Sequence, residues 1–245
     1  MKSFKFLSFF ILLTVVLNLS ILIPDAAEHE NWSPKLVGGF GYLSVGIQNL
    51  DLNKLNYRLQ RNGYQSFSSE PMVFGGGGYG VINKFIIGGE GFGIIEEEVI
   101  SPNGLYKQKF SAGYGLFKIG YIFYSNAQRN FYGLFGIGGG GLQLKIIQNT
   151  IPNFQGILEN PMRSSFLSNS FFMFNVGLGY TQFFKFNKEK GQAAGFLMGL
   201  EIGYNFSIPE DTWLIDVKEI GDGPKVGITG LYFRINYGGG ILIKK

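Results

Sequence analysis

Between Phe196 and Phe206 the chain alternates strictly. Phe196, Met198, Leu200, Ile202, Tyr204 and Phe206 occupy one parity, and Leu197, Gly199, Glu201, Gly203 and Asn205 the other. Successive side chains of a strand point to opposite faces, so this segment makes a ribbon with one apolar side and one small or polar side. Phe172, Phe174, Val176, Leu178 and Tyr180 against Met173, Asn175, Gly177, Gly179 and Thr181 repeat the pattern. So do Leu231, Phe233, Ile235 and Tyr237 against Tyr232, Arg234, Asn236 and Gly238. Fainter versions cover about 35–48, 72–82, 85–95, 106–124 and 131–146, where glycine runs blur the period. The sum is roughly eight strands, the smallest usual number for a closed transmembrane barrel. The expected fold is all-β, an antiparallel up-and-down barrel.

Alternation does not say which face points outward, because a soluble lipocalin-like barrel turns its apolar face inward around a ligand. Composition decides. Charged residues make up 16% of the chain, aromatics 16%, and there are 38 glycines among 245 residues. An ordinary soluble domain carries roughly 25% charge and about 7% glycine. A Gly, Asn, Thr and Ser face is too poor in charge to serve as a water-facing exterior, but inside a narrow barrel small residues relieve crowding. The apolar face is left for lipid. A bilayer core offers no hydrogen bonds, so the sheet must close or leave edge groups unsatisfied at several kcal/mol each.

Connection lengths follow the rhythm of such barrels, short turns alternating with long loops. Long connections fall near 49–70, 96–105, 148–165 and 207–225, and short ones near 83–84, 125–128 and 187–191. An even strand count places both chain ends on the short-turn, periplasmic side. Tyr121, Phe123, Tyr124, Phe131, Tyr132, Phe183, Phe184, Phe186 and Tyr237 are expected to ring that side. Tyr106, Phe110, Phe171, Phe172, Tyr204 and Phe206 are expected at the outer interface. From about Lys35 onward the chain resembles the small eight-stranded outer-membrane barrels of the OmpA/OmpX/OmpW type. The resemblance rests on strand number, loop rhythm and girdles. It implies outer-membrane lipid as solvent and the barrel-insertion machinery as a partner in biogenesis. Such barrels often end on an aromatic residue, whereas this chain runs on past Phe233 and Tyr237 to Lys244 and Lys245.

Residues 1–27 read as a signal peptide, with Lys2 and Lys5 ahead of an apolar run from Phe6 to Ile23 and a small-residue pair at Ala26 and Ala27. The barrel is then expected over 28–245, with export to the outer membrane. The run is also nearly long enough for an uncleaved anchor helix.

Chemistry is sparse. The net charge is +4, but the basic residues are not gathered in one stretch, which argues against nucleic acid. No cysteine and one histidine, His29 in the N-terminal tail, leave no thiolate site, no histidine metal cluster and no Ser-His arrangement on the strands. No cofactor, metal or catalytic residue is expected, and the chain reads as a non-enzyme. Gly75, Gly77, Gly80 and Gly136, Gly138, Gly141 match G-x-G-x-x-G literally. A dinucleotide site needs a helix opening at those glycines, and both matches lie in strand-like sequence.

Glu90, Glu201 and Arg234 fall on inward parities, and a hairpin neighbour relation brings Glu201 opposite Arg234. They are read as a lumen polar network, either a selectivity or proton-linked site or a structural plug. Glu96, Glu97 and Glu98 are weighed as a cation site, against a solvated acidic rim, because consecutive strand residues point apart. Leu52, Leu55 and Leu59, between Asp51 and Gly63, have the spacing of a short amphipathic helix over the barrel mouth. Trp213, in the last long loop, is a candidate contact for an extracellular ligand, against simple packing within the loop. The expected role is structural, adhesive or surface-interacting through the outer loops. Two alternatives stand beside it: a narrow channel or binding barrel for small apolar molecules past Phe40, Tyr42 and Phe92, and the soluble lipocalin-like barrel.

Overall fold

A computed structural model describes residues 36–125, 128–150, 153–159, 164–189, 192–210, 212–215 and 218–244. The segment read as a signal peptide and His29 lie outside these residues. The strands are β1 (Leu36–Gln48), β2 (Met72–Ile82), β3 (Phe85–Ile100), β4 (Tyr106–Ser125), β5 (Arg129–Gln148), β6 (Ser164–Glu189), β7 (Gln192–Pro209), the short β8 (Trp213–Ile215) and β9 (Lys218–Ile220), and β10 (Gly230–Lys244). Two helices lie in long connections, α1 (Asn53–Arg61) and α2 (Phe154–Glu159).

Eight of the strands form an antiparallel ring in the order β5-β4-β3-β2-β1-β10-β7-β6, closed by β5 against β6. Closure pairs the edge groups that a bilayer could not satisfy. No helix among the described residues is long and apolar enough to cross a membrane.

The faces alternate as the sequence pattern requires. Tyr42, Glu90, Lys118, Asn175, Glu201 and Arg234 are buried within the ring, and Leu43, Leu178 and Leu231 on the outside are 63%, 59% and 59% exposed. Phe74, Ile87, Phe117, Ile119, Phe135, Ile202 and other large apolar side chains complete the exposed belt. Soluble monomers rarely expose apolar patches beyond a few hundred Å². The exterior is built for lipid, the reverse of a soluble ligand-binding barrel.

Three differences from the sequence reading have physical causes. Strand β3 runs on to Ile100, so the connection expected at 96–105 shrinks to 101–105. There Glu96 pairs with Lys109 at 2.6 Å and Glu98 with Lys107 at 2.9 Å, polar cross-strand pairs that an apolar pattern cannot register. A register shift between Ile94 and Glu97 changes the alternation at that point. Finally, Phe110, Tyr132, Phe171 and Phe183, assigned to the girdles, are buried and share the inward parity of their strands. The girdle on the short-turn side is carried by outward residues such as Phe85, Tyr121, Phe123, Tyr124, Phe131 and Phe186.

Candidate functional site

The middle of the barrel holds two carboxylates and two cations. Glycine on the neighbouring strands makes room for them. Arg234 lies opposite Gly46 on β1, and Glu90 opposite Gly77 on β2. A Cβ at Gly46 would come within 2.9 Å of the Arg234 side chain, and one at Gly77 within 2.8 Å of that of Glu90. Tyr232 crosses Gly203 in the same way, and Tyr132 crosses Gly179, where a Cβ would sit 2.1 Å from its ring. The two G-x-G-x-x-G matches lie within β2 and β5, where Gly75, Gly77 and Gly136 clear space for Phe92, Glu90 and the Lys118 and Asn175 side chains.

The register makes Arg234 and Glu201 direct partners, yet their closest approach is 3.9 Å. The shorter bonds cross the lumen. Arg234 Nη1 donates to Glu90 Oε1 at 2.9 Å, and Lys118 Nζ lies 2.8 Å from Glu90 Oε1 and 2.6 Å from Glu201 Oε1. All four side chains are fully buried or within 1% of it. The guanidinium is held between two rings, Phe92 at 3.7 Å and Tyr232 at 3.9 Å, and it donates through Nη2 to the Tyr114 hydroxyl. The Tyr42 and Tyr79 hydroxyls reach Glu90 Oε2 at 2.9 and 3.0 Å, and Tyr232 donates to Glu201 at 2.7 Å. A buried charge is tolerable only when paired and hydrogen-bonded, and the formal charges of this quartet cancel.

Sequence reasoning named Glu90, Glu201 and Arg234 and missed Lys118. Its signal was present, since Lys118 shares the parity of the buried Tyr114 and Leu116.

Above the quartet the lumen is apolar. Leu50, Leu52, Leu55, Leu59 and Phe67 from the first connection pack with Trp213, Val226 and Ile228 from the last, onto Val73, Ile94, Phe110, Leu142, Phe171 and Met173 of the wall. Helix α1 buries Leu55 and Leu59 and ends near Gly63, at φ 76°, a conformation that suits glycine. Asp51 accepts from the Asn53 amide at 3.3 Å. Trp213 is 3% exposed and donates to the Pro224 carbonyl at 2.8 Å, so its ring is spent on the cap and offers no face to a ligand. This is the packing within the loop that was weighed against a ligand contact. Below the quartet Val81, Ile86, Ile122, Leu134, Phe183 and Leu197 fill the short-turn end.

The acidic run also divides as strand geometry demands. Glu96 and Glu98 pair with Lys107 and Lys109, while Glu97 accepts from the Ser68 amide at 2.8 Å. Hydrogen bonds from Lys107 and Lys109 hold the Glu98 carboxyl below the usual carboxylate range, and those to Glu96 and Glu98 push Lys109 up. Among the described residues no group of three or more His, Cys, Asp or Glu side chains is placed to hold a metal ion.

This is the fold of the small outer-membrane β-barrels, with a filled lumen and a folded cap over its outer mouth. No protein-family model matches the sequence, and a search of curated proteins finds no match. Among solved structures, the chain is similar to Ail, the attachment invasion locus protein of Yersinia pestis, in complex with the heparin analogue sucrose octasulfate. The TM-score is 0.40 at 12% identity over 85% of this chain and 98% of that one. It is also similar to the outer membrane protease OmpT of Escherichia coli, with a TM-score of 0.35 at 9% identity over 89% and 100%. For Neisserial surface protein A the TM-score is 0.30 at 10% identity over 87% and 98%.

Proposed function

We propose that this chain is a non-conducting, non-enzymatic outer-membrane barrel that works through its outer surface, as a structural or adhesive element. The observation that carries the reading is the filling of the lumen at every level: apolar cap, neutral charge quartet, apolar base. A conduit for small molecules needs a continuous path, and the burial of inward side chains at each depth among the described residues argues against one. A catalytic reading would need a nucleophile and base converging on open space. The quartet is instead buried and its charges are paired, with Glu201 Oε2 and Arg234 Nε left without a hydrogen-bond partner.

The outer cap offers what the lumen does not. Helix α1 turns its leucines down and leaves Lys54, Tyr57, Arg58 and Arg61 outward on a packed support; Tyr57 is 61% exposed, and the Arg61 guanidinium lies 5.7 Å from its ring. Side chains on a rigid base lose less entropy on binding than those on a free loop. Signal-directed export of 1–27, the outer-membrane location and assembly by the insertion machinery belong to this same proposal.

The test is planar-bilayer recording on refolded protein, with binding of intact cells displaying it to host-surface preparations. No conductance steps, together with binding that falls when Tyr57, Arg58 and Arg61 are replaced by Ser, supports the proposal. Discrete openings, or hydrolysis of a substrate that a point variant abolishes, overturns it.

A further inference from the structure

The wall is uneven at its outer end. Strands β1 and β2 are 13 and 11 residues long, whereas β4 and β5 are 20 residues each. From Gly139, which pairs with Phe172 of the lipid-facing belt, β5 continues to Gln148. That is about 30 Å of strand at about 3.3 Å per residue, or about 20 Å of height at the usual tilt. The outward groups along it are mostly polar: Ser111, Gln143 and Ser168 pair in one row, and Lys109, Lys145 and Phe166 in the next. The tips of the β3–β4 and β5–β6 hairpins therefore stand clear of the bilayer that holds the barrel.

Above that polar band the tips turn apolar again. The Asn149 amide donates to the Leu105 carbonyl at 2.8 Å, and its side chain to the Gly104 carbonyl at 3.0 Å, which ties the two hairpins together. Leu105 is 61% exposed and Ile100 50%. Helix α2 begins at Phe154, within about 18 Å of Asn149 at the full reach of the chain between them. Its polar groups bond to one another: Asn153 Oδ1 accepts from the Gly156 amide at 2.7 Å, and Gln155 Nε2 donates to Glu159 at 2.8 Å. Phe154 and Leu158, one turn apart on the same face, are left 77% and 63% exposed. Leu55 and Leu59 have the same spacing on α1, but there the pair is buried in the barrel mouth.

Area and charge indicate the occupant. Ile100, Leu105, Phe154 and Leu158 expose on the order of 400 Å² together, about half of the roughly 800 Å² that each partner gives to a stable protein interface. A second copy or a folded protein would need more. Over 96–109 and 143–163 the acids Glu96, Glu97, Glu98 and Glu159 are matched by Lys107, Lys109, Lys145 and Arg163, so the tips carry no net charge to draw a polyanion. An uncharged cluster of aromatic and aliphatic side chains suits the boundary between headgroups and acyl chains, which it enters without needing a shaped pocket. We propose that the joined tips are a hydrophobic foot that inserts into an apposed, zwitterionic bilayer. The proposal deepens the adhesive reading above, naming lipid as what these tips grip, and it rests on that reading.

The experiment holds the refolded chain in lipid nanodiscs, adds phosphatidylcholine vesicles and reads their association by flotation. Each variant is first shown to be folded by heat-dependent gel mobility. The expected result is co-flotation that weakens roughly tenfold or more in F154S/L158S and changes by less than about twofold between about 0.05 and 1 M salt. It should persist in F154L/L158F, which keeps the apolar surface, and in the cap variant Y57S/R58S/R61S. When only the added vesicles contain brominated phosphatidylcholine, emission of the Phe154→Trp variant should be quenched beyond that of the unmodified chain, which places the residue in the apposed bilayer. No co-flotation, co-flotation abolished by salt, equal binding by F154S/L158S, or absent quenching overturns the foot. If displayed cells then still bind host-surface preparations, the adhesive reading stands without it; if they do not, both fall.

Discussion

The middle of the lumen and its outer mouth solve the same packing problem with opposite materials. In the middle, wall residues reach across the barrel, and Glu90, Lys118, Glu201 and Arg234 pair with one another within 2.9 Å, apart from the 3.9 Å approach of Arg234 to Glu201. At the mouth, residues that belong to no barrel strand descend into the ring: Leu55 and Leu59 from α1, Trp213 from β8, and Val226 and Ile228 beyond β9. The difference follows from reach. Deep in the barrel only wall side chains are available, and polar ones must be paired. Near the mouth, long connections fold back and supply apolar groups that need no partner. The middle should therefore be cooperative with the whole barrel, and the mouth separable from it.

Removing one charge of the quartet breaks that comparison most directly. Glu90→Leu leaves Lys118 and Arg234 sharing one carboxylate, and a destabilisation of about 3–5 kcal/mol is expected. It is read from the urea midpoint of the folded gel band in lipid vesicles. Replacing Glu90 and Lys118 together by Leu and Met should cost clearly less than the two single changes added. Strict additivity would mean that the four groups do not act as a unit.

Leu55→Ala with Leu59→Ala should cost about 2–5 kcal/mol per site, but locally. Protease cleavage between 50 and 70 should rise sharply while the heat-dependent mobility shift of the barrel stays. Loss of the shift would show that mouth and middle unfold as one.

Gly179→Val drives a branched side chain into the Tyr132 ring, for an expected cost of about 1–3 kcal/mol. Tyr132→Ser in the same chain should restore most of it, as seen by the same urea midpoint.

The smallest effect belongs to the outer tip of β3 and β4. Glu98 is held below the usual carboxylate range, so its contribution is present at neutral pH and is lost as pH falls through its lowered value. Lys109 is raised, so its contribution is present at neutral pH and is lost only as pH climbs through the raised value. Amide exchange at 96–109, corrected for intrinsic rates, should speed up below the carboxylate range and at high salt, and should be unchanged across neutral pH. Insensitivity to salt would assign the order of this tip to backbone pairing alone.

The strands were legible because alternation is local. Phe196 to Phe206 carries its own face assignment, and β7 and β10 pair Arg234 with Glu201 in the register that parity implies. Lys118 was overlooked because glycines at 113, 115 and 120 interrupt the alternation around it, and the extension of β3 because its outer pairs are charged. The candidate site was only partly legible. Parity says that Glu90 and Arg234 point inward, but the bond between them spans 144 residues.

The sequence by itself determined an all-β chain of about eight two-faced strands, a lipid-facing exterior and the set of side chains that turn inward, because a period of two and a shortage of charge are properties of short stretches. Only the tertiary structure decided which inward residues meet, that Lys118 completes a neutral quartet, and that Trp213 seals the mouth. Those depend on closing the ring, which converts distance along the chain into adjacency across a lumen.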